Sequence, residues 1–210
     1  MTVDQWFSSG SNVAVGVAAL GASIIALVGL KTWRAELKGK ARFEASSKLM
    51  VACRKFAHEY VYARSPATYP GESLEREHLP DERDDERRTL DEWYARRKRG
   101  ERLGRVAEQI QEARWAAEVV LDQTVEGQIK ETTQRLLVSV NQLIMAIDFY
   151  FGNQRISNRT GSMDESMNRL MEIQFKNIYA HSQEGEPDYF QAEVDQAVES
   201  LRQALRQYLR

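Results

Sequence analysis

From Gln5 to Leu30 no residue carries an ionisable charge, and Val13 to Leu30 reads VAVGVAALGASIIALVGL, with Ser23 its one clearly polar side chain. A helix over Asn12 to Leu30 is about 28 Å long at about 1.5 Å per residue, close to a hydrocarbon core of about 30 Å. Trp6 and Phe7 precede the stretch and Trp33 follows it, where aromatic rings favour the boundary between headgroups and acyl chains. A cleaved secretory signal would open on positive residues, whereas this chain has Asp4 and no Lys or Arg before the stretch. A buried helix of a soluble bundle is the competing interpretation, because Ala and Gly make the segment only modestly hydrophobic. Length, flanks and aromatics together favour a transmembrane helix.

The basic residues Lys31, Arg34, Lys38, Lys40 and Arg42 stand against a single Glu36 just beyond the span. This bias places the carboxyl side in the cytoplasm and the short amino terminus (residues 1–30 include both it and the span) outside. The same five cations form a basic anchor for anionic lipid headgroups. Within the span Ala14, Ala18, Ala22 and Ala26 recur every four residues, a small-residue stripe along which two helices can approach closely and self-associate.

Beyond the membrane the recurring pattern is that of amphipathic helices separated by loops. Residues 31–64 contain no proline and extend the span as a stalk, with Phe43, Met50, Cys53, Ala57 and Tyr60 on one face, widened by Leu49 and Phe56. Pro66, Pro70 and Gly71 end it. From Glu72 to Arg102, 20 of 31 residues are charged, which describes a solvated connection over 65–87. Thr89 with Glu92 has the spacing of a capping box, so the next long helix is expected to open near residue 88.

Two seams follow. Leu103, Val106, Ile110, Ala113, Ala117 and Val120 alternate at three and four residues, and Ile129, Thr133, Leu136, Val140, Leu143, Ile147 and Tyr150 repeat the rule. The weak breaker between them, Asp122 to Gly127, favours an antiparallel hairpin over one long rod. Gly152, Asn153 and residues 157–161 suggest a loop, and Ser162 with Glu165 a second capping box. The following helix, to about His181, presents Met163, Met167, Leu170, Met171 and Ile178. After Gly185 and Pro187 a last seam runs through Phe190, Val194, Ala197, Leu201, Ala204 and Tyr208. The expected fold is all-α: a single N-terminal transmembrane helix continuing into a cytoplasmic antiparallel bundle, with residues 88–210 packing on the stalk.

Chemistry is sparse. Glu75 and His78 have the Glu-x-x-His spacing of carboxylate-bridged metal sites, which need two such pairs; this one stands alone before Pro80. His58 and His181 are remote from each other in sequence, and the single Cys53 lies on the apolar stripe, as a core residue does. Asp148, beside the second seam, is expected on a helix flank, with Arg155 or a tyrosine hydroxyl as its partner if it is buried. Asn141 is a candidate for fixing helix register. Arg96, Arg97, Lys98, Arg99, Arg102 and Arg105 form a basic run, expected to be a solvated face rather than a phosphate contact. Asn158-Arg159-Thr160 is a glycosylation triplet that would go unused on the cytoplasmic side.

Regional charge is −1 over 1–30, +5 over 31–106 and −6 over 107–210, within a total of −2, which gives no basis for nucleic acid as a partner. With no Gly-rich phosphate loop, nucleophile elbow or cysteine pair, neither an enzyme nor a cofactor is expected. The functional expectation is a membrane-anchored helical interaction or oligomerisation module that relays a state to the membrane. Its partners would be the lipid bilayer, further copies of itself and a protein still to be identified. The alternative is an oligomeric membrane effector or channel subunit gated by its bundle.

Overall fold

The computed structural model describes residues 3–69, 71–180 and 188–209, with side chains described at residue 17 and from residue 20 onward. Five helices and no strands occur among them: α1 (Val3–Arg64), α2 (Asp84–Val120), α3 (Gln123–Thr160), α4 (Glu165–Ile178) and α5 (Tyr189–Leu205). Pro66 and Pro80 fall between helices, so neither removes a backbone donor inside one.

The helices build an up-down-up-down bundle. The second half of α1 runs away from the N-terminal segment, α2 returns, α3 runs out again, and α4 followed by α5 forms an interrupted fourth column that comes back. Packing of α1 on α2, α2 on α3, α3 on both α4 and α5, and α5 on α1 closes the ring. Its interior holds Leu49, Cys53, Phe56, Leu103, Ile110, Leu136, Ile147 and Leu201, all fully buried. The hairpin alternative is the one observed: α2 stops at Val120, and only Leu121 and Asp122 separate it from α3.

Several boundaries differ from the sequence expectation. Helix α2 opens at Asp84 and not near Thr89, whose hydroxyl donates to Asp85 O within the first turns instead of capping. Asp84, Asp85 and Glu86 favour this earlier start, since carboxylates stabilise the positive end of a helix. The Gly152-Asn153 pair is helical; α3 continues to Thr160 and ends at Gly161, whose φ of 74° is the left-handed cap glycine adopts readily. Helix α4 is capped by Asp164, which accepts from Met167 N–H, and not by Ser162, and it closes at Ile178. His181 lies outside the described residues. Helix α5 closes at Leu205 and a turn follows, so Tyr208 reaches the bundle from beyond the helix.

The faces also shift in detail. Phe43 is exposed while Ser46 and Ala63 are buried, because α1 enters the bundle only near Ala41 and Arg42. On α4, Leu170 is exposed and Ile178 is the residue that reaches the core. The connection over 65–83 is mostly exposed but not free. Arg76 pairs with Glu82 at 2.7 Å and Asp91 at 2.6 Å, and the Glu82 and Arg76 side chains are almost wholly covered. Part of the charge density that suggested a solvated linker goes into these ion pairs, while Glu77 and Asp81 are exposed.

Among the described residues one helix, α3, is long and apolar enough to cross a membrane; much of the N-terminal apolar stretch lies outside the described side chains. Its apolar stripe from Ile129 to Ile147 faces the bundle core.

Candidate functional site

Three places gather the residues singled out by the sequence: the N-terminal half of α1, the end of the bundle where α1 enters it, and the opposite end where α1 stops.

The described side chains in the N-terminal half of α1, at residue 17 and from Leu20 to Leu30, are exposed apart from a partly covered Gly21. Val17, Leu20, Ile24, Ile25, Leu27 and Val28 are 59 to 74% exposed, so apolar side chains point outward all round the helix. Ala22 and Ala26 are exposed; the side chains of Ala14 and Ala18 lie outside the described residues, as do those of Trp6 and Phe7. Lys31 to Lys40 then form a neck of ten residues, all exposed, about 15 Å long at about 1.5 Å per residue. Lys31, Arg34 and Lys38 project from it, and Lys40 lies 4.0 Å from Glu44.

Arg42 departs from this group. Instead of standing free for lipid, its Nε donates to Val120 O at 3.1 Å and its guanidinium pairs with Asp122. Tyr208 donates its hydroxyl to the other Asp122 oxygen at 2.9 Å and lies beneath the same guanidinium. A cation is well placed at the carboxyl end of α2, where backbone carbonyls lack helical partners. This clamp ties α1 to the α2–α3 turn and to the C-terminal turn at the level where the free helix becomes a bundle member.

At the far end three arginines are buried. Arg64, 1% exposed, donates Nη1 to both Asp188 oxygens at 2.8 Å, Nε to Asn177 O at 2.9 Å, and Nη2 to Lys176 O and Tyr179 O. Its own carbonyl accepts from Ala180 N–H, so one residue joins the ends of α1 and α4 to the start of α5. Arg96 donates to Ser65 O and Pro66 O and packs 4.5 Å from the Tyr179 ring. Arg99 forms a two-pronged contact with Glu72 and also donates to Ser65 O and Ala67 O.

The electrostatics follow from these partners. Burial opposes ionisation of Glu72, but hydrogen bonds from Arg99, Tyr69 N–H and Tyr62 prevail and hold its carboxyl at about 2. Burial, then the hydrogen bond to Glu92, raises the Tyr179 phenol well above its ordinary range. Burial lowers Arg96. The Cys53 thiol is pushed up to about 12 by burial, which leaves it inert as a nucleophile.

The basic run from Arg96 to Arg105 is therefore no uniform face. Arg96 and Arg99 point inward, Arg97 pairs with Asp148, Lys98 lies 3.6 Å from Glu75, and Arg102 pairs with buried Glu59 at 2.7 Å. Asp148 sits on the flank but takes Arg97 and Trp93 Nε1 as partners, while Arg155 goes with Arg159 to Glu86. His78 faces Asp91 and Glu75 faces Lys98, so the Glu-x-x-His pair does not converge. Among the described residues no group of three His, Cys, Asp or Glu side chains could hold a metal ion.

Arg96 and Arg99, expected on a solvated face, are buried, and so is Arg64, which no sequence motif singled out, although a signal for all three exists. Stepping back from Leu103 by four and then three residues lands on Arg99 and Arg96, and stepping on from Tyr60 by four lands on Arg64. All three occupy seam positions. No protein-family model, curated protein or solved structure matches the chain.

Proposed function

We propose that the protein is a membrane-anchored helical interaction module, with the N-terminal half of α1 in the bilayer and the bundle held on the cytoplasmic side. The observation that carries this is the ring of exposed apolar side chains from Val17 to Leu30, for which the bundle offers no covering surface. In water such a surface is strongly disfavoured; in lipid it is matched, and the backbone is already satisfied within the helix. The cations that follow favour this orientation, with the amino terminus outside.

The bundle is then a rigid body on a helical stem. Because α1 is unbroken and Arg42 fixes it to both neighbouring turns, a shift of the span moves the bundle as a unit, and a partner gripping the bundle acts back on the span. The small-residue stripe Ala14, Ala18, Ala22 and Ala26 offers a place for spans to meet.

Membrane fractionation tests the anchor. The full chain should stay with membranes through carbonate extraction. Ile24→Asp with Leu27→Asp, each placing a charge costing roughly 3 kcal/mol near the bilayer centre, should release it. A wild-type chain recovered in the soluble fraction without detergent would overturn the proposal.

A further inference from the structure

The face of α1 that the bundle leaves open does not end at the neck. Leu30, Trp33 and Leu37 are exposed at three- and four-residue spacing, and Val51, 63% exposed, lies two heptads beyond Leu37 on the same side of the same helix. There it meets a shallow groove between α1 and α2, floored by Val51 and Ala52 with Ala113 and Ala116. Lys48 and Lys55 stand on the α1 edge and Glu112 on the α2 edge. Lys55 donates to Gln109 at 3.1 Å across the groove, which sets the level of the two helices. In that register Glu112 falls between the heights of Lys48 and Lys55. Among the described residues no ion pair engages Lys48 or Glu112.

We infer that this continuous face is where a second copy of the same chain docks. The groove has a basic edge and an acidic edge, so its best complement carries the same two edges in reversed order. A copy turned by half a revolution about an axis along the helices supplies that order: its α2 faces this α1, and its Glu112 lies between Lys48 and Lys55 at matching height. The same axis is the one that keeps both N-terminal helices parallel in one bilayer, so the inference rests on the anchored topology proposed above. In the neck the two α1 helices meet through Leu30, Trp33 and Leu37, with Lys40 and Glu44 forming a charge-balanced polar layer below. At the bundle α2 enters from each side and makes a four-helix contact. Of the alanine stripe, Ala26 falls on this face, one step before Leu30.

The test uses the full chain in detergent micelles, with Cys53→Ala as background. Leu37→Cys should oxidise to a disulfide-linked dimer, whereas Ala35→Cys, on the opposite side of the neck, should stay monomeric. Separately, Glu112→Lys should weaken dimerisation roughly tenfold, as like charges are brought together. Adding Lys48→Glu and Lys55→Glu to it should restore association. These side chains are exposed, and unchanged helical circular dichroism verifies the fold. A monomeric mass at micromolar concentration, equal cross-linking from both faces, charge reversal without rescue, or a different protein seated stoichiometrically on the groove would each overturn the inference. Carbonate extraction of the same variants separates this from the anchor: a chain that dimerises in detergent but leaves the membrane sinks only the topology.

Discussion

Glu72 and Arg99 show how single residues hold the far end of the bundle. Neither has an apolar role, yet Arg99 is almost wholly buried, and its donors go to Glu72 and to the carbonyls that follow α1. Removing one member strands the other's charge, so Arg99→Met should cost roughly 3 kcal/mol, read from denaturant unfolding, and more than Glu72→Gln, which keeps a hydrogen-bonding partner. The pH dependence has a definite sign. The Glu72 carboxyl lies at about 2 in the folded chain against an ordinary 4.5, so its contribution is complete above about 4.5 and is lost as pH falls toward 2. Wild type should therefore lose stability over that window more steeply than Glu72→Gln; parallel curves would refute the assignment. Position was legible in the sequence and burial was not. Arg96 and Arg99 continue the seam of Leu103, but composition alone cannot tell an arginine with backbone carbonyls to bond from one in water, because those carbonyls belong to residues 65–67 on a remote segment.

Among the elements, the apolar seams located four of the five helices closely, since the three-and-four spacing follows directly from helix geometry. The ends were harder to place. Gly152 and Gly161 both resemble loop residues in sequence, and only backbone geometry separates them: Gly152 is helical with open space beside it, while Gly161 adopts φ of 74°. Alanine substitutions should thus move stability in opposite directions. Gly152→Ala should add roughly 0.5 to 1 kcal/mol by lowering the entropy of the unfolded chain, and Gly161→Ala should cost about 1 to 2 kcal/mol by forcing a side chain into the left-handed region. Thermal unfolding of the two variants checks this, and equal signs would contradict the observed end of α3. The capping boxes failed for a related reason: Thr89 and Ser162 have the right neighbours, but stronger helix starts lie close by at the Asp84–Glu86 carboxylates and at Asp164.

For the whole molecule, the division lies at Arg42. Every described side chain from Ala22 to Lys40 is exposed, and from Ala45 onward α1 contributes buried residues at nearly every turn. In the sequence the apolar stretch ends at Leu30 and the cations from Lys31 to Arg42 read as one group, whereas in the fold Arg42 bonds the end of α2. A lipid-facing cation and one bonded to the end of α2 look alike until the α2–α3 turn is in place. Since the described side chains of α1 from Ala22 to Lys40 are all exposed, a chain beginning at residue 41 should fold alone, remain soluble without detergent and melt within a few degrees of the full chain's bundle transition. Adding Arg42→Ala to that shorter chain should lower its melting temperature by several degrees. The substitution removes a charge-assisted bond to Val120 O and frees Asp122 and Tyr208, a loss of roughly 1.5 to 3 kcal/mol. If the proposed anchor holds, the same substitution should leave membrane retention of the full chain unchanged, because Lys31, Arg34 and Lys38 remain exposed beside the span. If Arg42→Ala instead released the chain from membranes while leaving the melting temperature fixed, Arg42 would belong to the lipid and not to the clamp.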